Sequence, residues 1–381
     1  MAKEKDTASA LLDLSKKYKM NLGSEFLDTG YAMLNMVMGG GLPMCKMIEI
    51  FSESGYGKTT VVLSMCKSLC RRGHRVLYID AEGSIDQLVE SMGFYKENLV
   101  WEPEHPDRPF TIIQTSYFED IEEILEKLIP KYDNDGNPTD SDFRLVVIDS
   151  VAMLAPKEYK GDVGEKDGIS IASNKPGIIA KLMTAFCKKF NGYKTAFNMS
   201  FFFINQLRED LSMNFVKDQN KTTGGKALLY AEDIRLKLVA RKGSQEDKKE
   251  YVTGAGEKQE VTIGREVGIK SVKNKVTNAG VVLPLYIKYG QGISNIAALK
   301  YILPKKTIEK DGKTVCCIEK SGAWFTLNLP STSVRCNGEK QLFEAIKANA
   351  KECFGLIDAD KDFALLVDEE NGEDYEDDDY E

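Results

Sequence analysis

Short, nearly continuous apolar runs recur along the chain. They are MIEIF (47–51), RVLYID (75–80), FRLVVID (143–149), SFFFIN (200–205), DIRLKLV (233–239), REVGIKSVKN (265–274) and VVLPLYI (281–287). Runs of this length read as strands, and consecutive apolar positions are the signature of strands buried on both faces. Helical patterns fall between them, near 58–71, 84–93, 117–129 and 174–191. The alternation predicts an α/β domain with helices on both faces of a sheet that begins parallel. The last strands follow one another without helices, which predicts an antiparallel edge. Residues 5–20 read as a short amphipathic helix with Ala8, Leu11, Leu12, Leu14 and Tyr18 on its apolar positions. Two readings of it stand: docking on a neighbouring subunit, or packing on its own domain. The polar segments 131–142 and 244–260 read as surface loops. From about 291 the pattern changes to a smaller mixed unit. The expected division is 1–27, an N-terminal oligomerisation segment; 28–290, the core; 291–367, a small C-terminal domain; and 368–381, a tail.

Composition narrows the chemistry. The chain has 381 residues, 42% hydrophobic and 29% charged, as soluble globular proteins have. No apolar run approaches the roughly 18 residues of a membrane helix. The charged start MAKEKDTASALLDLSKK lacks the apolar core of a signal peptide, which predicts a cytoplasmic protein. Eight cysteines form no CxxC pair, so free, buried thiols are expected. Only His74 and His105 exist, each without a metal or triad constellation nearby. General-base work is therefore expected from a carboxylate. The last fourteen residues, DEENGEDYEDDDYE, hold ten acids, and removing them from a net charge of −8 leaves a body of +2. Such a tail is either a solubilising extension or a mobile polyanion competing for a nucleic-acid site.

Four strand ends carry candidate chemistry. SESGYGKT (52–59) follows a strand and precedes a helix, as a phosphate-binding loop does. Small residues let backbone N–H groups wrap phosphates, Lys58 reaches the terminal phosphates and Thr59 supplies a hydroxyl for Mg²⁺. Ser52 stands where the pattern has its first glycine, and a slightly different loop geometry is expected because Ser disfavours positive φ. Asp149 ends FRLVVID; at the carboxyl end of a neighbouring strand it is expected to face the crevice of the loop and can hold a water of the Mg²⁺ shell. Asp80 and Glu82 end a third strand. Either Glu82 deprotonates an attacking water, or both carboxylates cap the helix that follows. Asn205 and Gln206 end a fourth, where an amide can bond a γ-phosphate. The loops after Asp149 (156–168) and after Leu207 (207–225) carry glycines and lysines suited to a phosphate backbone.

The stretches DTGYAMLNMVMGGGLPMCKMIEI, SESGYGKTT, YIDAEGSID, VVIDSVAMLAPK, FINQLR, TTGGKAL, VKNK, YGQGIS and SGAWF occur in this order between Asp28 and Phe325. Together they resemble the RecA family of DNA recombinases, and the altered loops look like its bacteriophage branch. The resemblance implies a RecA-type ATPase core and a DNA-dependent ATPase. It implies helical filaments on single-stranded DNA and strand exchange with homologous duplex. Ser52, Glu53, Ser54, Gly55, Tyr56, Gly57, Lys58, Thr59 and Thr60 would hold the phosphates of ATP. Thr59 would bind Mg²⁺ directly and Asp149 through water, with Ser150 behind. Glu82 would activate water, and Gln206 would link the γ-phosphate to the second DNA loop. Asp86, Tyr289 and Gly290 would contact adenine, with Val89 where relatives carry an aromatic residue. Lys273 and Lys275 would reach ATP on the adjacent subunit, and Tyr230 would lie at that interface. From the residues alone, the two lysines of VKNK share a face of an edge strand, and such a pair is usually a solvated stripe. Arg208, Leu211, Thr222, Thr223, Gly224 and Gly225 would contact DNA, with Leu211 as a wedge between bases. Gly168 and Ser173 replace a bulky apolar and a basic residue in the first loop. Lys270, Arg241 and Lys242 serve either a second DNA site or a solvated basic face. Partners implied are single-stranded and double-stranded DNA, further copies of the chain, and single-strand-binding and mediator proteins, in a bacterial or phage-infected cytoplasm. A ring-forming helicase and a non-hydrolysing DNA-coating filament are the rival classes.

Overall fold

The computed structural model describes residues 25–157, 178–207, 221–240, 246–252 and 258–357. The expected N-terminal helix, the acidic tail and most of both expected DNA loops lie outside them. A short pair, β1 (Phe26–Leu27) and β2 (Leu42–Pro43), flanks helix α1 (Ala32–Met38). The main sheet then takes β3 (Met47–Ser52), β4 (Arg75–Asp80), β5 (Phe110–Gln114), β6 (Phe143–Asp149), β7 (Ser200–Gln206), β8 (Ile234–Val239), β9 (Glu246–Val252), β10 (Lys258–Asn274), β11 (Val282–Lys288) and β12 (Gly292–Ile293). Its spatial order is β12-β11-β10-β8-β3-β7-β6-β4-β5, with β9 also paired to β10. From β8 through β5 all neighbours are parallel, and β9, β10, β11 and β12 pair antiparallel. The parallel core with an antiparallel edge is as expected.

Three differences stand out. The segment 244–260 is not only loop: it contains β9 and the start of β10, a ribbon continuing beyond β8. Strand β5 lies at the far edge, where no strand was expected. The strand ending in Asp149 is not beside the strand of the phosphate loop, because β7 lies between them.

Side chains alternate across the sheet, so each strand feeds two cores. Phe202, Ile204, Ile48, Ile50, Val147 and Tyr78 face one cluster. It is closed by α1, α2 (Lys58–Arg71), α3 (Asp86–Ser91) and α7 (Asn295–Ile302). Phe201, Phe203, Met47, Val146, Ile148 and Ile79 face the other. That one is closed by α4 (Phe118–Leu128), α5 (Ile178–Ala196) and α6 (Gly225–Ala231). Phe190 of α5 stacks on Phe201 of β7, ring centroids 4.2 Å apart. After α7 come strands β13 (Thr307–Lys310), β14 (Lys313–Cys316), β15 (Ile318–Ser321), β16 (Trp324–Asn328) and β17 (Ser333–Asn337), then α8 (Gly338–Ala348) and α9 (Ala350–Gly355). They enclose a third cluster around Leu299, Leu303, Phe325, Leu327, Leu342 and Ile346. All eight cysteines are free thiols; Cys316 is exposed, Cys45 half-buried and the other six buried. No described helix is long and apolar enough to cross a membrane.

Candidate functional site

Strand register brings the chemistry together. Ser52 lies opposite Gln206 in the β3–β7 pair, and Asp80 lies opposite Asp149 in the β4–β6 pair. The carboxyl ends of four strands thus form one rim, where ligands bind in parallel sheets. The loop leaves β3 at Ser52 and enters α2 at Lys58. Gly57 has φ +85°, a conformation that other residues rarely adopt, and a Cβ there would push against the tip of Ile287 on β11, 2.7 Å away. Ser52 itself is the last residue of β3 and does not take a positive φ, so serine brings no backbone strain at this position. Its hydroxyl donates to Glu53 O at 2.8 Å. Lys58 Nζ donates to Ser52 O (3.1 Å), Ser52 Oγ (3.2 Å) and Glu53 O (2.6 Å). Burial lowers the pKa of this ammonium from its ordinary value, against the pull of Asp149, Glu82 and Glu53. A buried cation at a helix N-terminus, held only by loop oxygens, is chemistry that suits a polyphosphate.

Asp149 Oδ2 accepts from Thr59 Oγ1 at 2.9 Å and from Tyr78 OH at 2.6 Å. Burial pushes its pKa up to about 6; those two hydrogen bonds oppose the rise, and the charges of Glu82 and Asp80 add to it. A buried carboxylate beside a threonine hydroxyl is an oxygen donor pair of the kind that fits Mg²⁺. No group of three His, Cys, Asp or Glu suited to a metal occurs among the described residues. An ion here would take its other ligands from phosphate and water.

The two carboxylates after β4 separate in role. Asp80 is buried, and it accepts from Gly83 N at 2.8 Å and Ile85 N at 3.4 Å, shaping the turn. Glu82 is exposed to the rim, its backbone N–H bonded to Asp149 O at 3.2 Å. Its Oε1 accepts from Ser150 Oγ at 2.5 Å and from Gln206 Nε2 at 3.3 Å. Asn205, the other amide of this strand end, points the opposite way. It is fully buried and bonds Glu49 and Thr223 O, so only Gln206 faces the rim.

Asp86 opens α3, and the Tyr289–Gly290 turn lies against the end of the same helix: a Cβ on Gly290 would be 3.5 Å from Ser91 Oγ. Tyr289 is largely exposed, whereas Val89 is fully buried in the core and offers nothing to a base. Tyr56 of the loop lies under Arg265 of β10, 4.9 Å from guanidinium carbon to ring centroid. Sequence reading missed this contact, since the strand number pairing them depends on the antiparallel edge.

Of the residues expected to meet DNA, Thr222, Thr223, Gly224 and Gly225 are described. Thr222 bridges Leu207, so the two roots of the second loop are paired. Gly224 and Gly225 have φ +98° and +65° and lead into α6. Arg208, Leu211, Gly168, Ser173, Arg241 and Lys242 lie outside the described residues. Lys270 is half-buried on β10 between Lys237 and Val282. β10 is not an edge strand over that stretch; only its last residues leave β11. A register shift between Ser271 and Lys273 re-aims the strand end. Lys273 Nζ donates to Leu229 O at 2.7 Å, and Lys275 Nζ is 3.1 Å from Asp233 Oδ1. Both lysines thus meet the α6–β8 corner, near Tyr230, which is 70% exposed.

A phosphate loop opening a helix, a buried carboxylate beside its threonine and a second carboxylate on the rim define the class of P-loop folds built on a mixed sheet. Residues 3–294 match the family model of the RecA N-terminal domain. Protein RecA of Rhodospirillum rubrum is 31% identical over 360 residues, covering 93% of this chain and 84% of its own. Protein RecA of Streptococcus pyogenes serotype M49 is 30% identical over 379 residues, covering 95% and 88%. The chain belongs to the RecA family, the recombinases of DNA recombination and repair. A solved RadB recombinase superposes with a TM-score of 0.47 at 20% identity, over 70% of this chain and 98% of that one.

Proposed function

We propose that the chain is an ATP-dependent strand-exchange protein that polymerises on single-stranded DNA and pairs it with homologous duplex. The observation that carries this reading is the Gln206–Glu82–Ser150 hydrogen-bonded group, one residue from the paired loop roots Leu207 and Thr222. On this reading the backbone N–H groups of the loop and the Lys58 ammonium take the phosphates of ATP. Thr59 and Asp149 hold Mg²⁺, Asp149 through water. Mg²⁺, when bound, supplies charge neutralisation at the β- and γ-phosphate oxygens. Glu82, oriented by Ser150, accepts a proton from the attacking water. Gln206 leaves Glu82 for the γ-phosphate and returns when it is gone, so the second loop follows the nucleotide. Asp86, Tyr289 and Gly290 line the base side. Lys273 and Lys275 reach a neighbouring subunit's nucleotide, which makes turnover a property of the filament. Sequence specificity comes from base pairing, and the loops 156–168 and 207–225 need only backbone contacts and sequence-tolerant wedging. We propose the same boundaries as read from the sequence: 1–27, 28–290, 291–367 and 368–381.

The test is turnover with and without oligo(dT), together with electron microscopy on single-stranded DNA and ATPγS. DNA-stimulated hydrolysis and helical filaments support the reading. Closed rings favour a helicase, and filaments without turnover favour a coating protein.

A further inference from the structure

Strand β3 has every side chain buried, and one of them is a glutamate. Glu49 is 0% exposed. Its Oε2 accepts from Arg235 Nε at 2.7 Å, directly opposite it on β8. Its Oε1 accepts from Asn205 Nδ2 at 2.8 Å on the β7 side. Each partner continues to the same segment. Asn205 Nδ2 also donates to Thr223 O at 2.7 Å, and Arg235 Nη2 donates to Thr222 Oγ1 at 3.2 Å. The Asn205 oxygen accepts from the backbone N–H of Gln206 at 2.9 Å. One buried carboxylate therefore holds two arms that end on consecutive residues at the C-terminal root of the second loop. One arm is tied to the backbone of Gln206, whose side chain bonds Glu82.

A second carboxylate, Glu232, is fully buried 3.0 Å from Arg235 Nε, yet neither of its oxygens has hydrogen-bonding geometry to a partner. Burial and the neighbouring Glu49 hold the Glu232 carboxyl well above the usual carboxylate range. Glu49 and Glu232 thus share one guanidinium, that of Arg235, in a pocket closed to solvent.

We propose that Asn205, Glu49 and Arg235 are positioning residues that couple the nucleotide rim at Gln206 to the DNA-facing root at Thr222–Gly225. The proposal rests on the reading of the chain as a DNA-stimulated ATPase. Every polar hydrogen and the oxygen of the Asn205 amide are committed: one N–H to Glu49, one to Thr223, the oxygen to Gln206. The Asn205 amide itself is fully buried, so a bond it loses to Glu49 or Thr223 is not replaced by solvent. When Gln206 moves, the Asn205 amide moves with it, and Thr223 follows. Arg235 carries the same displacement to Thr222 through Glu49. Coupling of this kind is reciprocal for binding: nucleotide changes DNA affinity by the factor that DNA changes nucleotide affinity.

The test uses the full chain and the Glu49→Gln variant. Glutamine keeps the volume, and Glu232 remains to balance Arg235. Its carbonyl serves one arm while its amide N–H groups face the donor of the other. The measurements are turnover without DNA, the stimulation by saturating oligo(dT), and the ratio of oligo(dT) affinities with and without ATPγS. Turnover without DNA is expected to stay within about twofold. Stimulation and the affinity ratio are expected to fall roughly 5–100-fold, within the usual range of allosteric coupling. Asn205→Ala cuts one arm only and should reproduce the loss. Stimulation and affinity ratio unchanged in both folded variants overturn the relay. Should Glu49→Gln fail a circular-dichroism check, Asn205→Ala decides. Should both fail it, hydrogen exchange of the wild type decides: ATPγS without DNA must alter exchange at residues 222–225, and no change there overturns the proposal. A wild type not stimulated by oligo(dT) overturns the parent reading and the relay together, whereas a stimulated wild type with unaffected variants overturns the relay alone.

Discussion

Glu82 owes its place on the rim to the turn beneath it. Asp80 accepts from the N–H groups of Gly83 and Ile85, and Asp149 O accepts from those of Ala81 and Glu82. The side chain is thus aimed before any ligand arrives. Glu82→Gln keeps this frame and removes the basic oxygen. Hydrolysis should slow by about 10²–10⁴-fold, the usual worth of a positioned general base, while ATP binding persists. Single-turnover kinetics beside a nucleotide-binding titration check it, and an unchanged rate would return Glu82 to a structural role. Lys58→Ala should abolish turnover, because the ammonium that balances the terminal phosphates is gone; near-normal DNA-stimulated hydrolysis would mean the loop is not the active site. Both residues were legible in the sequence because their spacing to a strand and a helix is local. Glu49, Arg235 and the inward turn of Asn205 were not. Their partners lie on three strands far apart in the chain, and only the strand order brings them together. The signal available was a single charge inside the apolar run MIEIF.

At the level of elements, α5 is held to the sheet by aromatic packing. Phe190 is fully buried and stacks on Phe201. Phe190→Ala should cost about 3–5 kcal/mol, the usual loss for a buried phenylalanine, read as a lowered urea midpoint. Helix α2 is tied to the segment after α3 by Arg71, whose Nε and Nη2 donate to Glu97 at 2.6 and 2.5 Å, with Lys67 2.8 Å away. The Arg71 hydrogen bonds, then those of Lys67, pull the Glu97 pKa down to about 2. A carboxylate depressed in the folded state stabilises above its unfolded pKa of about 4.3 and loses that contribution as pH falls toward the folded value. The pair is solvent-accessible, so its worth is under about 1 kcal/mol. Glu97→Gln should be slightly less stable at pH 7, with the gap to wild type closing between about pH 4 and 2; urea titrations across that range check the sign. The principal strands and helices were legible from apolar runs because the parallel core buries both faces. Strand β9 reads EDKKEYV, too polar for that signal, and is a strand only because β10 offers an edge to pair with. Strand β5, set close after Pro106 and Pro109, borders the sheet on one side only.

For the whole molecule, assembly is the property that one subunit cannot express. Lys273 and Lys275 rest on Leu229 O and Asp233 of their own chain, at a corner carrying the exposed Tyr230. Lys273→Ala or Lys275→Ala should leave the fold intact by circular dichroism yet weaken ATP-dependent sedimentation on DNA. Equal assembly in both would leave these lysines only their contacts with Leu229 and Asp233 of the same chain. Removing residues 368–381 should tighten duplex binding, most at low Mg²⁺, because a tethered polyanion competes at high effective concentration and is screened by salt. Overlaid titrations at low Mg²⁺ would reduce the tail to a solubilising extension. The strand order, with β7 between β3 and β6, was not legible, since crossovers leave no local trace in the chain. Finally, the distribution of thiols offers a handle. Burial raises the pKa of Cys187 to about 12 and Cys353 to about 11, and raises those of Cys66 and Cys70 as well. Cys316, at the end of β14, is the one exposed cysteine of the eight. A maleimide dye at neutral pH should therefore label the native chain chiefly there, without engineered cysteines. The fluorophore would sit among the strands that follow α7, and its polarisation could be followed as nucleotide and DNA are added.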